Sequence, residues 1–159
     1  MNDVSPAEPS AHAFAGFLCF AVYSTGLAFN RVYKPLLERL GLTYPQYLVI
    51  VALNHRGGQT VGELGEQLFL ESNTLTPLLK RLEAAGLVAR QRDSADERVV
   101  RVTLTERGRS VANEVSCIPE QVLAASGISA DELARLEDAL AALGENLRSW
   151  HSSSIGGAD

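Results

Sequence analysis

The chain has 159 residues, 46% of them hydrophobic, which suits one domain of ordinary size around a packed core. No apolar run reaches the roughly 18 residues of a membrane span, and the opening "MNDVSPAEPSAHAF" lacks the basic cluster and hydrophobic block of a secretory signal. Two cysteines, Cys19 and Cys117, make no disulfide framework, so a reducing, cytoplasmic setting is expected, and the net charge of −5 argues at first against a polyanionic partner.

Residues 1–10 and 151–159 are rich in Pro, Ser, Gly and acids and are expected to be loose tails. From Ala13 onward Phe14, Phe17, Leu18, Ala21 and Val22 recur at helical spacing, predicting a first helix that Pro35 ends or kinks near Tyr33. In "TYPQYLVIVAL", Thr43 and Gln46 stand at capping-box spacing, which favours a buried helix from Tyr44 to Asn54 over a buried strand. "NHRGGQ" reads as a turn, and Thr60 with Glu63 opens a short helix.

Ser72 or Asn73 is expected to cap the next helix, whose apolar stripe is Leu75, Leu78, Leu79 and Leu82. Pro77 falls near the end of its first turn, and Gly86 sits where a left-handed terminating residue belongs. Alternation in "LVARQR" and "VVRVTL" predicts two strands joined by "DSADE". Thr105 caps a helix running to about Val115 and interrupted near Pro119. Ser129 and Glu132 cap the last helix, where Leu133, Leu136, Leu140, Leu143 and Leu147 share a face.

The order is that of a mainly α fold with a small β-hairpin wing, a winged helix-turn-helix. N-terminal helices (residues 11–54) precede the helix-turn-helix and wing (55–104), and C-terminal helices (105–150) follow. Such an arrangement places one helix in a DNA major groove and the hairpin against the backbone or minor groove. Charge distribution permits it: residues 55–110 carry nine basic and eight acidic side chains, whereas residues 111–159 carry two and eight. Ser72, Asn73, Thr74 and Thr76 suit base edges and phosphates, and Lys80 and Arg81 suit backbone phosphates. Arg90 and Arg92 lie on the first wing strand. Arg98, at the hairpin, is expected to enter the minor groove with Asp96 holding its guanidinium.

"LTYPQYLVIVAL", "TVGELGEQLFLESNTLTPLLKRLEAAGLVAR" and "DERVVRVTLTERG" resemble the MarR family of winged-helix transcription regulators, over roughly residues 13–150. The resemblance implies a MarR-like homodimer in which the first and last helices of two subunits interlock, with Leu133, Leu136 and Leu140 facing the partner. It also implies a palindromic operator in double-stranded DNA. "LCFAVYS" and "VYKPLLERLGLTYPQY" resemble more closely the organic-hydroperoxide-sensing OhrR branch. In that branch a cysteine near the start of the first helix senses peroxide, and two tyrosines of the other subunit hydrogen-bond to it. The matching positions are Cys19, Tyr33 and Tyr44.

The chemistry needs those residue types. Peroxide attack requires a thiolate, which an apolar pocket disfavours and phenol donors or a helix N-terminus favour. Phe14, Phe17, Phe20 and Val22 would select bulky apolar hydroperoxides, while Tyr23, on the same face as Cys19, is assigned to core packing. The sulfenic acid formed condenses with a second thiol. Relatives use either a small cellular thiol or a second cysteine of the partner subunit. Cys117 is the candidate, although it precedes Ile118-Pro119, whereas the second cysteine of the two-cysteine members is expected beyond that pair. Oxidation would release the repressor from DNA. A rival reading keeps the winged helix but makes the trigger a reversible phenolic ligand, with Cys19 only structural. An enzyme such as a thiol peroxidase is disfavoured, because no Cys-x-x-Cys pair exists and neither arginine nor histidine adjoins Cys19. His12, His55 and His151 are scattered, so no metal site is expected, nor any cofactor.

Overall fold

The computed structural model describes residues 14, 16–96 and 98–155, the stretch 151–155 by its backbone alone. Two compact units meet between Ser116 and Cys117. The first holds α1 (Leu18–Glu38), α2 (Tyr44–His55), β1 (Gln59–Thr60), α3 (Val61–Leu68), α4 (Ser72–Ala84), β2 (Val88–Arg92), β3 (Val100–Leu104) and α5 (Glu106–Val115). The second holds α6 (Ile118–Ser126) and α7 (Ala130–Ile155). Of the expected tails, residues 1–10 and 156–159 lie outside the described residues, whereas residues 151–155 continue the backbone of α7 instead of forming a loose tail. Among those described, no helix is long and apolar enough to cross a membrane.

Pro35 does not end α1 near Tyr33; the helix continues to Glu38. Proline there removes one amide donor, and the carbonyl it would have served belongs to Arg31, an exposed residue. The stop comes instead at Gly41, in the left-handed region at φ 67°, with the Leu42 amide donating to the Leu37 carbonyl. In α2 the Gln46 side chain accepts from the Thr43 amide at 2.8 Å and from its hydroxyl at 3.1 Å, so the helical reading holds over the strand. Burial of Tyr47, Val49, Ile50, Ala52 and Leu53 makes α2 the centre of the first unit, packed against α1, α3, α4 and α5.

Thr60 and Glu63 form a reciprocal cap on α3: the Glu63 carboxylate accepts from the Thr60 amide, and the Thr60 hydroxyl accepts from the Glu63 amide. The α4 helix departs from expectation at its start. Glu71, not Ser72 or Asn73, is the cap residue, and it makes no side-chain cap bond. Pro77 lies in the second turn rather than the first, leaving the Asn73 carbonyl without its helical donor. Leu75, Leu78, Leu79 and Leu82 are buried as the stripe requires. Gly86, at φ 71°, closes α4, with the Leu87 amide donating to the Leu82 carbonyl.

The sheet has three strands in the order β1-β3-β2, all antiparallel, with Val88 opposite Leu104 and Gln59 opposite Val102. The expected hairpin is β2-β3; β1 was hidden in the "NHRGGQ" turn because two residues carry no period. Buried Gln59 donates from Nε2 to the Ala52 and Arg56 carbonyls, satisfying the C-terminal end of α2. Thr105 caps α5 by accepting from the Gly108 amide, and its own amide donates to the Leu87 carbonyl. That close docking needs Gly108, since a Cβ there would stand 1.9 Å from the Leu87 carbonyl oxygen. Replacing Gly108 by alanine is therefore expected to destabilise the fold by about 3 kcal/mol, read as a fall in the urea midpoint with the slope unchanged.

Pro119 corrects a further expectation. It lies in the first turn of a separate helix, α6, rather than interrupting a longer one, because a proline that early forfeits no helical bond. Ser129 and Glu132 cap α7 as expected, with the carboxylate accepting from the Ser129 amide at 2.9 Å.

Candidate nucleic-acid interface and sensor site

The helix-turn-helix consists of α3, the turn Phe69–Glu71 and α4, which pack on one another. With the leucine stripe turned inward, Ser72, Asn73, Thr74, Lys80 and Arg81 are exposed, and Thr76 is half-buried. The Thr74 hydroxyl reaches the Asn73 side-chain oxygen at 3.2 Å, so the first turn of α4 presents linked donors and acceptors. Thr76, Arg90 and Arg98 border a groove of about 450 Å³ between α3, α4 and the wing.

Much of the basic charge in residues 55–110 is spent inside the fold. Arg56 pairs with Glu63, Arg101 with Asp93 at 2.5 Å, and Arg107 and Arg109 donate to the Ala85 and Leu104 carbonyls. Arg90, a DNA-facing candidate on the first wing strand, is engaged within the chain. Its Nε and Nη2 donate to one Glu83 oxygen at 2.9 and 2.6 Å, locking β2 to α4 and holding the Glu83 carboxyl below the usual carboxylate range. Hydrogen bonds from the Ala95 amide and then Arg101 do the same for Asp93. Asp96 accepts from the Arg98 backbone amide at 3.0 Å, not from its guanidinium, so it shapes the turn rather than aiming the side chain. Glu63, Glu83, Asp93 and Asp96 are thus engaged locally, while Lys80, Arg81, Arg92 and Arg98 are exposed on α4 and the wing.

Cys19 is exposed in the first turn of α1, where helix amides best tolerate negative charge. Close by, the rings of Phe14 and Phe20 stack at 4.7 Å, and Phe17 meets Phe14 edge-on at 6.3 Å. Tyr23, assigned to the core, is 63% exposed, because the first turns of α1 have no core of their own chain to enter. Leu37 is the residue of α1 that is buried.

Tyr33 and Tyr44 meet edge-on, ring centroids 4.9 Å apart, and Tyr47, which sequence reasoning passed over as core, completes a cluster at 5.7 and 5.9 Å from them. Burial first, then the neighbouring Tyr47 and Tyr44, pushes the Tyr33 phenol up to about 12. Burial likewise raises Tyr44 and Tyr47. All three stay protonated at neutral pH and can donate. Cys19 and Tyr33 are fourteen residues apart on one helix, about 21 Å along its axis, so they cannot meet within one chain. Cys117 stands at the start of α6 with Gln121 Nε2 3.3 Å from its sulfur.

The family model for transcriptional regulator SarA/Rot matches residues 31–115. The chain is 49% identical over 130 residues to the HTH-type transcriptional regulator TtmR of Methylorubrum extorquens, covering 82% of this chain and 67% of that protein. Against the organic hydroperoxide resistance transcriptional regulator of Bacillus subtilis it is 44% identical over 130 residues, covering 82% and 88%. Reduced AbfR bound to DNA superposes with a TM-score of 0.69 at 36% identity, covering 84% of this chain and 94% of that one. AbfR comes from Staphylococcus epidermidis, and its disulfide-formed state superposes at 0.60 and 37%, covering 82% and 91%. With helix-turn-helix, wing and tyrosine cluster in place, the chain belongs to the SarA/Rot family of winged-helix transcriptional regulators, within the MarR-type group that includes OhrR.

Proposed function

We propose that this regulator is a cytoplasmic homodimeric repressor that holds a palindromic operator while Cys19 is reduced and leaves it when an organic hydroperoxide oxidises that sulfur. One observation carries the reading: Cys19 and the Tyr33–Tyr44 pair sit at opposite ends of a helix whose intervening apolar surface is uncovered. Phe17, Phe20, Val22, Leu27, Phe29 and Val32 are all exposed in the single chain. Leu136, Leu140, Leu147 and Trp150 of α7 are exposed as well. Each such side chain contributes about 1.5–3 kcal/mol when buried, so a second copy laid antiparallel along α1 covers them. That pairing brings the Cys19 of one subunit to the phenols of the other.

In the reaction the thiolate attacks the terminal peroxide oxygen and the O–O bond breaks. The alkoxide leaves as an alcohol after taking a proton, and Cys19 becomes a sulfenic acid. Condensation with a thiol, either the partner's Cys117 or a small cellular thiol, then gives a disulfide and water. The polar atom or bulk added at this interface re-spaces the two recognition helices away from the roughly 34 Å groove repeat. On this reading residues 11–54 supply the sensor and part of the dimer contact, and residues 105–150 supply the rest. Ser72, Asn73, Thr74, Thr76, Lys80, Arg81, Arg92 and Arg98 face DNA. The similarity to the organic hydroperoxide resistance regulator of Bacillus subtilis, and to AbfR, of which a disulfide-formed state is known, supports this.

The test is operator binding with and without cumene hydroperoxide. Wild type is expected to release DNA, whereas Cys19→Ser stays bound. Equal sensitivity of the two proteins removes Cys19 as the sensor.

A further inference from the structure

Cys19, Gly26 and Tyr33 follow one another at intervals of seven residues on α1. Seven residues come within about 20° of two whole turns, so the three lie on one line along the helix with Gly26 at its midpoint. Leu37 continues that line toward the C-terminal end, where α1 packs against α2. Toward the N-terminal end the same face is uncovered, and Val22, Tyr23 and Phe29 on it are exposed. A glycine inside a 21-residue helix weakens it relative to alanine, because more backbone freedom is lost on ordering. The chain itself does not require one here. Gly26 has no positive φ, and a Cβ built on it meets nothing within 4 Å beyond the adjoining backbone.

Symmetry supplies a reason. A two-fold axis that sets Cys19 beside the partner's Tyr33 passes through the midpoint of the two positions, and so brings Gly26 against the partner's Gly26. We propose that Gly26 is where the two α1 helices cross, and that it is a positioning residue for the sensor. The crossing rests on the antiparallel pairing proposed above, without which the site is incomplete. Helix axes pack about 8–10 Å apart according to the side chains at the contact, so glycine permits the short end of that range. The absent side chain thereby sets the reach from Cys19 to the partner's phenols. The flanks of the face agree independently. Val22 and Phe29 lie on one side of the line through Gly26, and Tyr23 and Asn30 lie on the other. An antiparallel crossing at Gly26 sets each flank against its own copy run backwards. Val22 then meets the partner's Phe29, apolar on apolar, and the Tyr23 phenol meets the partner's Asn30 amide.

Disulfide trapping in the full-length protein tests the register, with Cys19 and Cys117 both replaced by serine so that an introduced cysteine is the sole thiol. Gly26→Cys is expected to become mostly covalent dimer under air and copper phenanthroline, since a disulfide needs Cα atoms about 4.4–6.8 Å apart. Val22→Cys lies about 6 Å along α1 from the crossing, so its own copy is about 12 Å away and no covalent dimer forms. Co-expressed with Phe29→Cys, it cross-links. Absence of a Gly26→Cys cross-link, or self-cross-linking of Val22→Cys, overturns the crossing. In the chain that keeps Cys19, Gly26→Ala is expected to slow sulfenic acid formation within about threefold and Gly26→Leu about a hundredfold, as a misplacement of about 1 Å does. A glycine facing only water gives instead a higher thermal midpoint and an unchanged rate with both variants, which removes the positioning role. The two readings fail separately. Fast oxidation in the mixed dimer without a Gly26→Cys cross-link removes the crossing alone, whereas equal hydroperoxide sensitivity of wild type and Cys19→Ser removes the sensor and the positioning role with it.

Discussion

A chain carrying both Tyr33→Phe and Tyr44→Phe is expected to fold, dimerise and bind operator normally, yet to have its Cys19 oxidised by cumene hydroperoxide on the order of a hundredfold more slowly. A hydrogen bond to a charged acceptor is worth about 1.5–3 kcal/mol, so losing two phenol donors removes at least the roughly 2.7 kcal/mol that a hundredfold change represents. The rings remain, so their 4.9 Å edge-on packing and the cluster with Tyr47 survive the change. Because burial pushes the Tyr33 phenol up to about 12, it stays a donor across the whole neutral range. Trapping the sulfenic acid and following it by mass spectrometry gives the rate. An unchanged rate would mean that the phenols do not touch the sulfur.

The second large effect concerns the dimer. Leu140→Asp on α7 is expected to yield a folded monomer whose operator affinity is lower by about 10²–10⁴-fold, the gain that joining two half-site readers supplies. Leu140 is 47% exposed in the single chain, so the aspartate costs the isolated subunit little, whereas in a dimer it would be buried without a counter-charge. Sedimentation reports the association state and anisotropy the affinity. Dimers that persist and bind tightly would place the contact elsewhere.

What the sequence made legible was whatever is local. The Thr43–Gln46, Thr60–Glu63 and Ser129–Glu132 spacings each close over three residues, so the caps formed where the pattern put them. The leucine stripe of α4 and the alternation of β2 and β3 likewise express one element's own period. Features that depend on a distant neighbour were not legible. Arg90 could be placed on the first wing strand, but its pairing with Glu83, seven residues back on α4, shows only in the fold. Strand β1 exists because β3 pairs with it, not because of its own two residues. Pro119 and Pro35 share the same chemistry but differ in consequence with position in a helix, which composition does not reveal. Tyr47 was absorbed into an apolar run, and only packing shows it to be the third ring beside Tyr33 and Tyr44.

The most direct test of the sensor is a mixed dimer. One subunit carries Cys19→Ser with both tyrosines intact, and the other carries Tyr33→Phe and Tyr44→Phe with its cysteine intact. Neither homodimer contains a complete site, whereas the heterodimer rebuilds one across the interface. The account predicts that the cysteine of the purified heterodimer is oxidised by limiting hydroperoxide as fast as in wild type. Oxidation as slow as in the tyrosine-deficient homodimer would contradict it.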